Sequence, residues 1–211
     1  MNPLTNLITY YGDVIQLDFP RWDVSNSIQV LQKHPGWVRY QPHKPDNNRY
    51  GLSVTSYDGG LTGEPDLYSL KEYNNMHGTQ YDESDFKKRT NIVNHIPELN
   101  PFLDFFGPSL GRTHFIKLNS GGFFPPHRDN GLVLHPATFR ILVPIQNFGI
   151  NDMKWLQEEK PLYLELGSTY FINTQKPHSV FSFVNNCIML VLNIIVDQIV
   201  IEKLIRKIVP I

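Results

Sequence analysis

The chain has 211 residues, 41% of them hydrophobic, and a net charge of −1. That is enough for one large domain, or a domain with an elaborated half, around a sizeable core. The near-neutral balance gives no electrostatic case for a nucleic-acid partner or an anionic membrane surface. The single cysteine, Cys187, sits in an apolar run, so an internal disulfide is excluded and a buried structural thiol is expected. No apolar stretch approaches the length of a membrane span. The first residues lack the basic start and apolar core of a signal peptide. A reducing cytoplasm is the expected location.

Taken in order, residues 13–19 alternate and read as a strand, with Val14, Gln16 and Asp18 set against Ile15, Leu17 and Phe19. Asp23 or Ser25 is placed to cap a short helix through Leu31. Residues 35–50 carry three prolines and Asn47-Asn48, the composition of a loop. Tyr50 to Tyr57 reads as a strand that ends at Asp58-Gly59-Gly60. Residues 59–82 form a long polar segment, either a lid over a site or plain surface coil. Asp82 or Ser84 is placed to cap a helix through Thr90. A further short helix is expected over Pro97–Phe106, with proline near its start.

From Gly111 the texture changes. Short β-branched and aromatic runs recur at 112–119, 138–147, 153–157, 161–166, 168–174, 178–184 and 187–196. Their spacing predicts antiparallel sheet. The fold expected is mostly β (α+β): a double-stranded β-helix, or jelly roll, with supporting helices. The chain would then be a single domain over 1–211. Residues 1–110 would be a helical and loop elaboration, 111–196 the jelly-roll core, and 197–211 a C-terminal helix. In that tail Ile201, Leu204, Ile205 and Ile208 recur at helical spacing, which suits a helix covering one sheet better than a membrane or partner helix.

The chemistry concentrates in Gly121–Asn130 and Asn173–Val180. In His127-Arg128-Asp129 the two potential ligands are two apart. In extended backbone that spacing puts both side chains on one face. His-x-Asp alone is weak among eight histidines, and a lone His127 reads as a surface turn residue. Its setting strengthens it: a strand-like run over 113–118 and a Gly-Gly turn precede it, with two stiffening prolines. His178 then opens another apolar run and supplies a third ligand. Two imidazoles and one carboxylate form the facial set of non-haem Fe(II) oxygenases, which leaves coordination positions open.

The ordered set Gly121-Gly122-x-x-x-x-His127-x-Asp129, Arg140 to Ile145, Leu164 to Asn173 and His178-Ser179-Val180 carries a resemblance. Residues from about 110 to 196 resemble the aspartyl/asparaginyl β-hydroxylases among the Fe(II)/2-oxoglutarate dioxygenases, and the related free-proline hydroxylases. The resemblance implies that His127, Asp129 and His178 hold Fe(II), with 2-oxoglutarate and dioxygen at the open positions. It implies hydroxylation of a small molecule or of an amino-acid or peptide side chain. Asn173 would then be either a hydrogen-bond partner of a ligand or a strand-end turn residue.

One departure stands out. The relatives place an arginine about ten positions after the distal histidine to hold 2-oxoglutarate; here that position is Ile188. A buried dicarboxylate needs a cation or several donors. Arg140 is the first candidate, although in the relatives this position more often holds the substrate's carboxylate. Arg112 is the second, or it is a surface strand end. Alternation places Arg112 on one face with His114, itself a candidate contact, and Ile116. Lys117 should point the other way, and Arg128 into solvent. His135 is a weaker ligand or substrate contact; His34, His43, His77 and His95 read as surface residues. The competing reading is a cupin-like jelly roll that binds metal without using 2-oxoglutarate.

Overall fold

The structure, a computed structural model, describes residues 3–129 and 136–209. Helix α1 (Pro3–Tyr11) buries Leu4 and Leu7, and strand β1 (Val14–Leu17) follows. Helix α2 (Val24–Lys33) starts where expected, with the Asp23 carboxylate accepting from the Ser25 amide. Strands β2 (Val38–Arg39), β3 (Arg49–Ser53) and β4 (Thr55–Ser56) come next. Helix α3 (Leu70–His77) lies inside the segment expected as lid or coil, and stops at Gly78 in the left-handed conformation. None of residues 59–82 lines the cavity described below.

Asp82 caps as expected, but it caps only a 3-10 turn, Glu83–Asp85, rather than a helix through Thr90. The chain leaves helical geometry because β5 (Lys88–Arg89) pairs with β4 and the Thr90 amide bonds to Val54. Helices α4 (Ile92–His95) and α5 (Asn100–Phe106) follow, the latter entered through a 3-10 turn at Pro97–Leu99.

Eight strands are then distributed over two sheets: β6 (Leu110–Leu118), β7 (Phe123–His127), β8 (Thr138–Gln146), β9 (Met153–Gln157), β10 (Lys160–Leu162), β11 (Thr169–Ile172), β12 (His178–Ser182) and β13 (Cys187–Ile195). Helix α6 (Gln198–Ile205), capped by Asp197, is shorter than the expected 197–211: Ile208 lies beyond it and bridges to Leu17 of β1. The larger sheet has the order β1-β11-β8-β13-β6-β3-β2 and the smaller β10-β9-β12-β7. Every pairing is antiparallel. Within β6–β13 the chain crosses to the other sheet at every step except the β9–β10 hairpin, and β13 closes the larger sheet between β6 and β8. That order is a double-stranded β-helix.

Two differences from the sequence expectation concern the sheets. Residues before 110 are more than a helical elaboration, since β1, β2 and β3 extend the larger sheet at both edges. Residues 123–127 are strand rather than turn; β7 is an edge strand, where Pro125 and Pro126 remove no needed ladder donor.

Alternation divides the core. On one face of the larger sheet Phe115, Ile141, Val143, Phe171, Ile188, Leu190 and Leu192 meet the helices. On the other face Ile116, Leu142, Ile172, Met189 and Val191 meet Trp155 and Val180 of the smaller sheet. The space between the sheets is therefore apolar, and it opens beside the paired ends of β7 and β12. Cys187 is buried there as a free thiol, and burial raises it to about 11.

Candidate metal centre

Strands β7 and β12 pair with His127 opposite His178, and the two ring centroids lie 4.2 Å apart. The chain leaving β7 is tied back by the Asp129 amide, which donates to the Thr174 carbonyl at 2.8 Å. One potential ligand atom from each of His127, Asp129 and His178 lies within 4.8 Å of the others. Two strand-end residues and a short extended step thus bring together the three residues singled out from sequence.

The imidazoles are oriented by backbone. His127 Nδ1 lies 2.7 Å from the Pro125 carbonyl, and His178 Nδ1 lies 3.0 Å from the Lys176 carbonyl. A carbonyl only accepts, so each Nδ1 carries the proton and each Nε2 keeps its lone pair for a ligand. The ring of Trp155 stacks on His178, with 5.7 Å between centroids. Burial lowers the His178 pKa while Asp129 opposes it.

Asp129 has two distinct oxygens. Oδ1 lies 3.6 Å from His127 Nε2, and Oδ2 accepts from Arg140 Nε at 3.0 Å. Burial pushes the carboxyl up, but Arg140, then His178, outweigh it and hold it below the usual carboxylate range. Arg140 is raised in turn: burial opposes its charge, and Asp129 and Glu83 more than compensate. The donor set fits a divalent metal: two neutral nitrogens and an anionic oxygen, each fixed by a second hydrogen bond.

A cavity of about 80 Å³ adjoins this cluster, several times the room one water needs. Beside the clustered three, Arg140, His114, Tyr40, Trp155 and Thr174 supply its polar groups, and Ile116, Leu142, Ile172, Met189 and Val191 its apolar wall. The two Nη atoms of Arg140 have no hydrogen-bond partner among the described residues.

The other sequence candidates divide. His114 lines the cavity and is buried; buried histidines are ordinarily hydrogen-bonded, yet neither of its ring nitrogens has a partner among the described residues. Arg112 is also buried, so it is no surface strand end. Its guanidinium does not line the cavity: Nε and Nη2 donate to Glu83 at 3.0 and 2.6 Å, and Nη1 to the carbonyls of Asp66 and Tyr68. Asn173 serves the turn, with Nδ2 donating to Asp13 and Oδ1 accepting from the Gln175 amide. Lys117 lies on the opposite face over Trp37 and Tyr50, and Arg128 is exposed, both as expected. His135 lies outside the described residues. Sequence reasoning missed Trp155 and Tyr40. The alternation Met153-Trp155-Gln157 marks Trp155, whereas Tyr40 lies in a proline-flanked stretch with no period.

No family model matches the chain, and no curated protein does. Solved structures of similar shape include an oxidoreductase of the 2OG-Fe(II) oxygenase family from Burkholderia pseudomallei. It is 12% identical, with a TM-score of 0.47, over 90% of this chain and 88% of that one. KdgF from Halomonas sp. is 14% identical, with a TM-score of 0.32, over 43% of this chain and 73% of that one. The DMSP lyase DddQ from Ruegeria pomeroyi DSS-3 is 22% identical, with a TM-score of 0.31, over 41% of this chain and 38% of that one. The strand order and the His-Asp-His cluster together define a double-stranded β-helix with a candidate metal centre.

Proposed function

We propose that this chain is a non-haem Fe(II) oxygenase that uses 2-oxoglutarate and dioxygen to hydroxylate a small molecule or an amino-acid or peptide side chain. The observation that carries the reading is the convergence of His127, Asp129 and His178 with both Nε2 atoms free. That set suits Fe(II) and leaves positions for organic ligand and dioxygen. When bound, the metal would bring together dioxygen as oxidant and 2-oxoglutarate as two-electron reductant, so that one oxygen atom goes to succinate, with release of carbon dioxide, and the other to an unactivated C–H bond.

The chain's own residues bind and orient. The carbonyls of Pro125 and Lys176 hold the two rings in one tautomer. Arg140 keeps Asp129 ionised through Nε. Its Nη atoms are the anchor we assign to the cosubstrate's far carboxylate. The apolar wall between the sheets excludes water, which strengthens each of these contacts. No described helix is long and apolar enough to cross a membrane. We place the protein in the cytoplasm, where Fe(II) persists, with a small-molecule or peptide substrate and no nucleic-acid partner.

One observation favours a second reading, a cupin-type metal enzyme that does not use 2-oxoglutarate. Ile188, at the position of the relatives' arginine, is fully buried on the helix-facing side of β13. The deciding experiment supplies Fe(II), 2-oxoglutarate and oxygen to the parent and to His178→Ala, and measures metal affinity and succinate. The parent should form succinate, and the variant should bind Fe(II) about 100-fold more weakly or worse. An unchanged affinity in His178→Ala refutes the ligand set. Metal binding by a parent that forms no succinate and shows no 2-oxoglutarate binding supports the second reading.

A further inference from the structure

The inner face of β6 carries His114 next to Ile116, with Val191 of β13 opposite His114 and Leu142 of β8 opposite Val191. His114 is therefore set in the apolar wall of the cavity. It is 3% exposed, and neither ring nitrogen has a hydrogen-bond partner among the described residues. A buried polar group in that condition carries a desolvation penalty that a bound partner would relieve. Trp155, a second lining residue, likewise has an unpaired buried indole N–H. An aromatic wall joins His114 to the metal cluster: Tyr40 lies 5.8 Å from the His114 ring and 5.7 Å from Phe124, and Phe124 lies 6.2 Å from His127. A molecule held at His114 thus lies along that wall toward the ligands.

Charge narrows what the molecule can be. Arg140 is the only cation lining the cavity among the described residues, and residues 130–135 contain no lysine or arginine. On the reading above, Arg140 serves Asp129 and the cosubstrate. A second carboxylate or a phosphate would be buried without a partner. Among the described lining residues the only carboxylate is Asp129, which Arg140 already engages, so an ammonium group would find no free counterion. His114 itself is no cation: burial, then Arg112 and Arg140, lower it to about 3. A neutral imidazole offers one donor and one acceptor.

We propose that the substrate is an uncharged, largely apolar small molecule whose single hydroxyl, carbonyl or carboxamide group is bound by His114. This rests on Arg140 serving the cosubstrate, and it sets this site apart from one built for a free, zwitterionic amino acid. The body of the substrate would pack on Ile116, Met189 and Val191, and its polar group would satisfy the imidazole.

The test uses three probes on one branched carbon skeleton: 4-methylpentanamide, 4-methylpentanoate and leucine. Each is titrated by calorimetry into Ni(II)-loaded, 2-oxoglutarate-saturated protein, so that binding is read without turnover. The amide should bind at least about tenfold more tightly than either charged probe. His114→Phe, similar in volume, should lose about tenfold or more of that affinity, and His114→Gln should recover part of it. Circular dichroism and melting confirm that each variant is folded. A charged probe binding as tightly as the amide, no binding by any probe, or undiminished amide binding by His114→Phe overturns the proposal. Titration of 2-oxoglutarate into the Ni(II)-loaded parent reports separately on the cosubstrate reading. If it does not bind, that reading falls, and amide binding by parent and His114→Phe without it still decides the role of His114.

Discussion

Removing the Glu83 carboxylate should destabilise this fold more than an ordinary surface change by a wide margin. Glu83 is 3% exposed and accepts from Arg112 Nε, Nη2 and backbone amide, and from Asn193 Nδ2. In Glu83→Ala the guanidinium keeps only the carbonyls of Asp66 and Tyr68. It has then lost its hydrogen-bonded counterion inside the fold, which costs about 3–5 kcal/mol. In a domain of this size each kcal/mol is about 2–4 °C of melting temperature, so the drop should be on the order of 10 °C. Urea unfolding followed by circular dichroism measures the loss directly, with an unchanged slope marking a change in stability alone. The paired replacement Glu83→Leu/Arg112→Met should recover much of it, because no orphaned charge remains. A loss under about 1 kcal/mol, the worth of an exposed pair, would refute the argument.

The same pair gives a pH dependence. Burial pushes the Glu83 carboxyl up, but Arg112 outweighs it and holds it at about 2, below its ordinary 4.5. A depressed acid contributes stability that is complete above the unfolded value and lost as pH falls through the folded one. The parent's acid limb should therefore steepen between about pH 4.5 and 2, and Glu83→Ala should flatten it.

Two further predictions concern stability. Asp66 is buried, and that burial raises its carboxyl to about 6, above the ordinary 3.8. The raised value subtracts stability as pH rises through that interval, so Asp66→Asn should gain about 1–3 kcal/mol at pH 7. The amide can still accept from the Tyr57 amide and donate to Ser53, and an unchanged or lower urea midpoint at pH 7 would count against this. Gly167 has φ +75°, and a Cβ there would lie 2.3 Å from the Trp22 carbonyl oxygen. Gly167→Ala should cost about 2–4 kcal/mol, through strain and the loss of the Trp22 amide bond to its carbonyl. A melting temperature within 2 °C or so of the parent would contradict that.

What was legible in the sequence was whatever a local period or side-chain chemistry carries. The β-branched runs from 112 onward became strands within a few residues of their expected limits, because alternation is what burial on one face of a sheet requires. The convergence of His127, Asp129 and His178 was legible because a weak His-x-Asp step was reinforced by the Gly-Gly turn and prolines before it and by a third histidine opening a later apolar run. β7 was not, because Pro125 and Pro126 argue against a strand unless its edge position is known. The turn at Glu83 was not, because Glu83 draws its structure from Arg112, 29 residues away. For Arg112 alternation gave the correct face and the wrong partner: a local period says where a side chain points, not which distant carboxylate meets it.

The parity of β13 explains why the cation of this site stands on β8. Along β13 the cavity side is Cys187, Met189, Val191 and Asn193, and the helix side is Ile188, Leu190, Leu192 and Ile194. An arginine at Ile188 would point into the helix-packed core, and no cavity-side position of β13 is charged. Arg140 lies opposite Asn193 on one neighbour and Ile172 on the other, within reach of Asp129. One guanidinium on the cavity wall is thus joined through Nε to Asp129, a candidate metal ligand, and its Nη atoms have no partner among the described residues. Arg140→Ala should consequently weaken two equilibria together. Fe(II) binding should fall about tenfold, as for other partners of a ligand. 2-Oxoglutarate binding, followed through the charge-transfer band of the anaerobic Fe(II) protein, should fall by tenfold or more, the scale of a lost charged hydrogen bond. Loss of both supports a shared cation. Weaker 2-oxoglutarate binding with unchanged metal affinity would show that the Asp129 contact does not tune the metal site, and unchanged 2-oxoglutarate binding would place the anchor elsewhere.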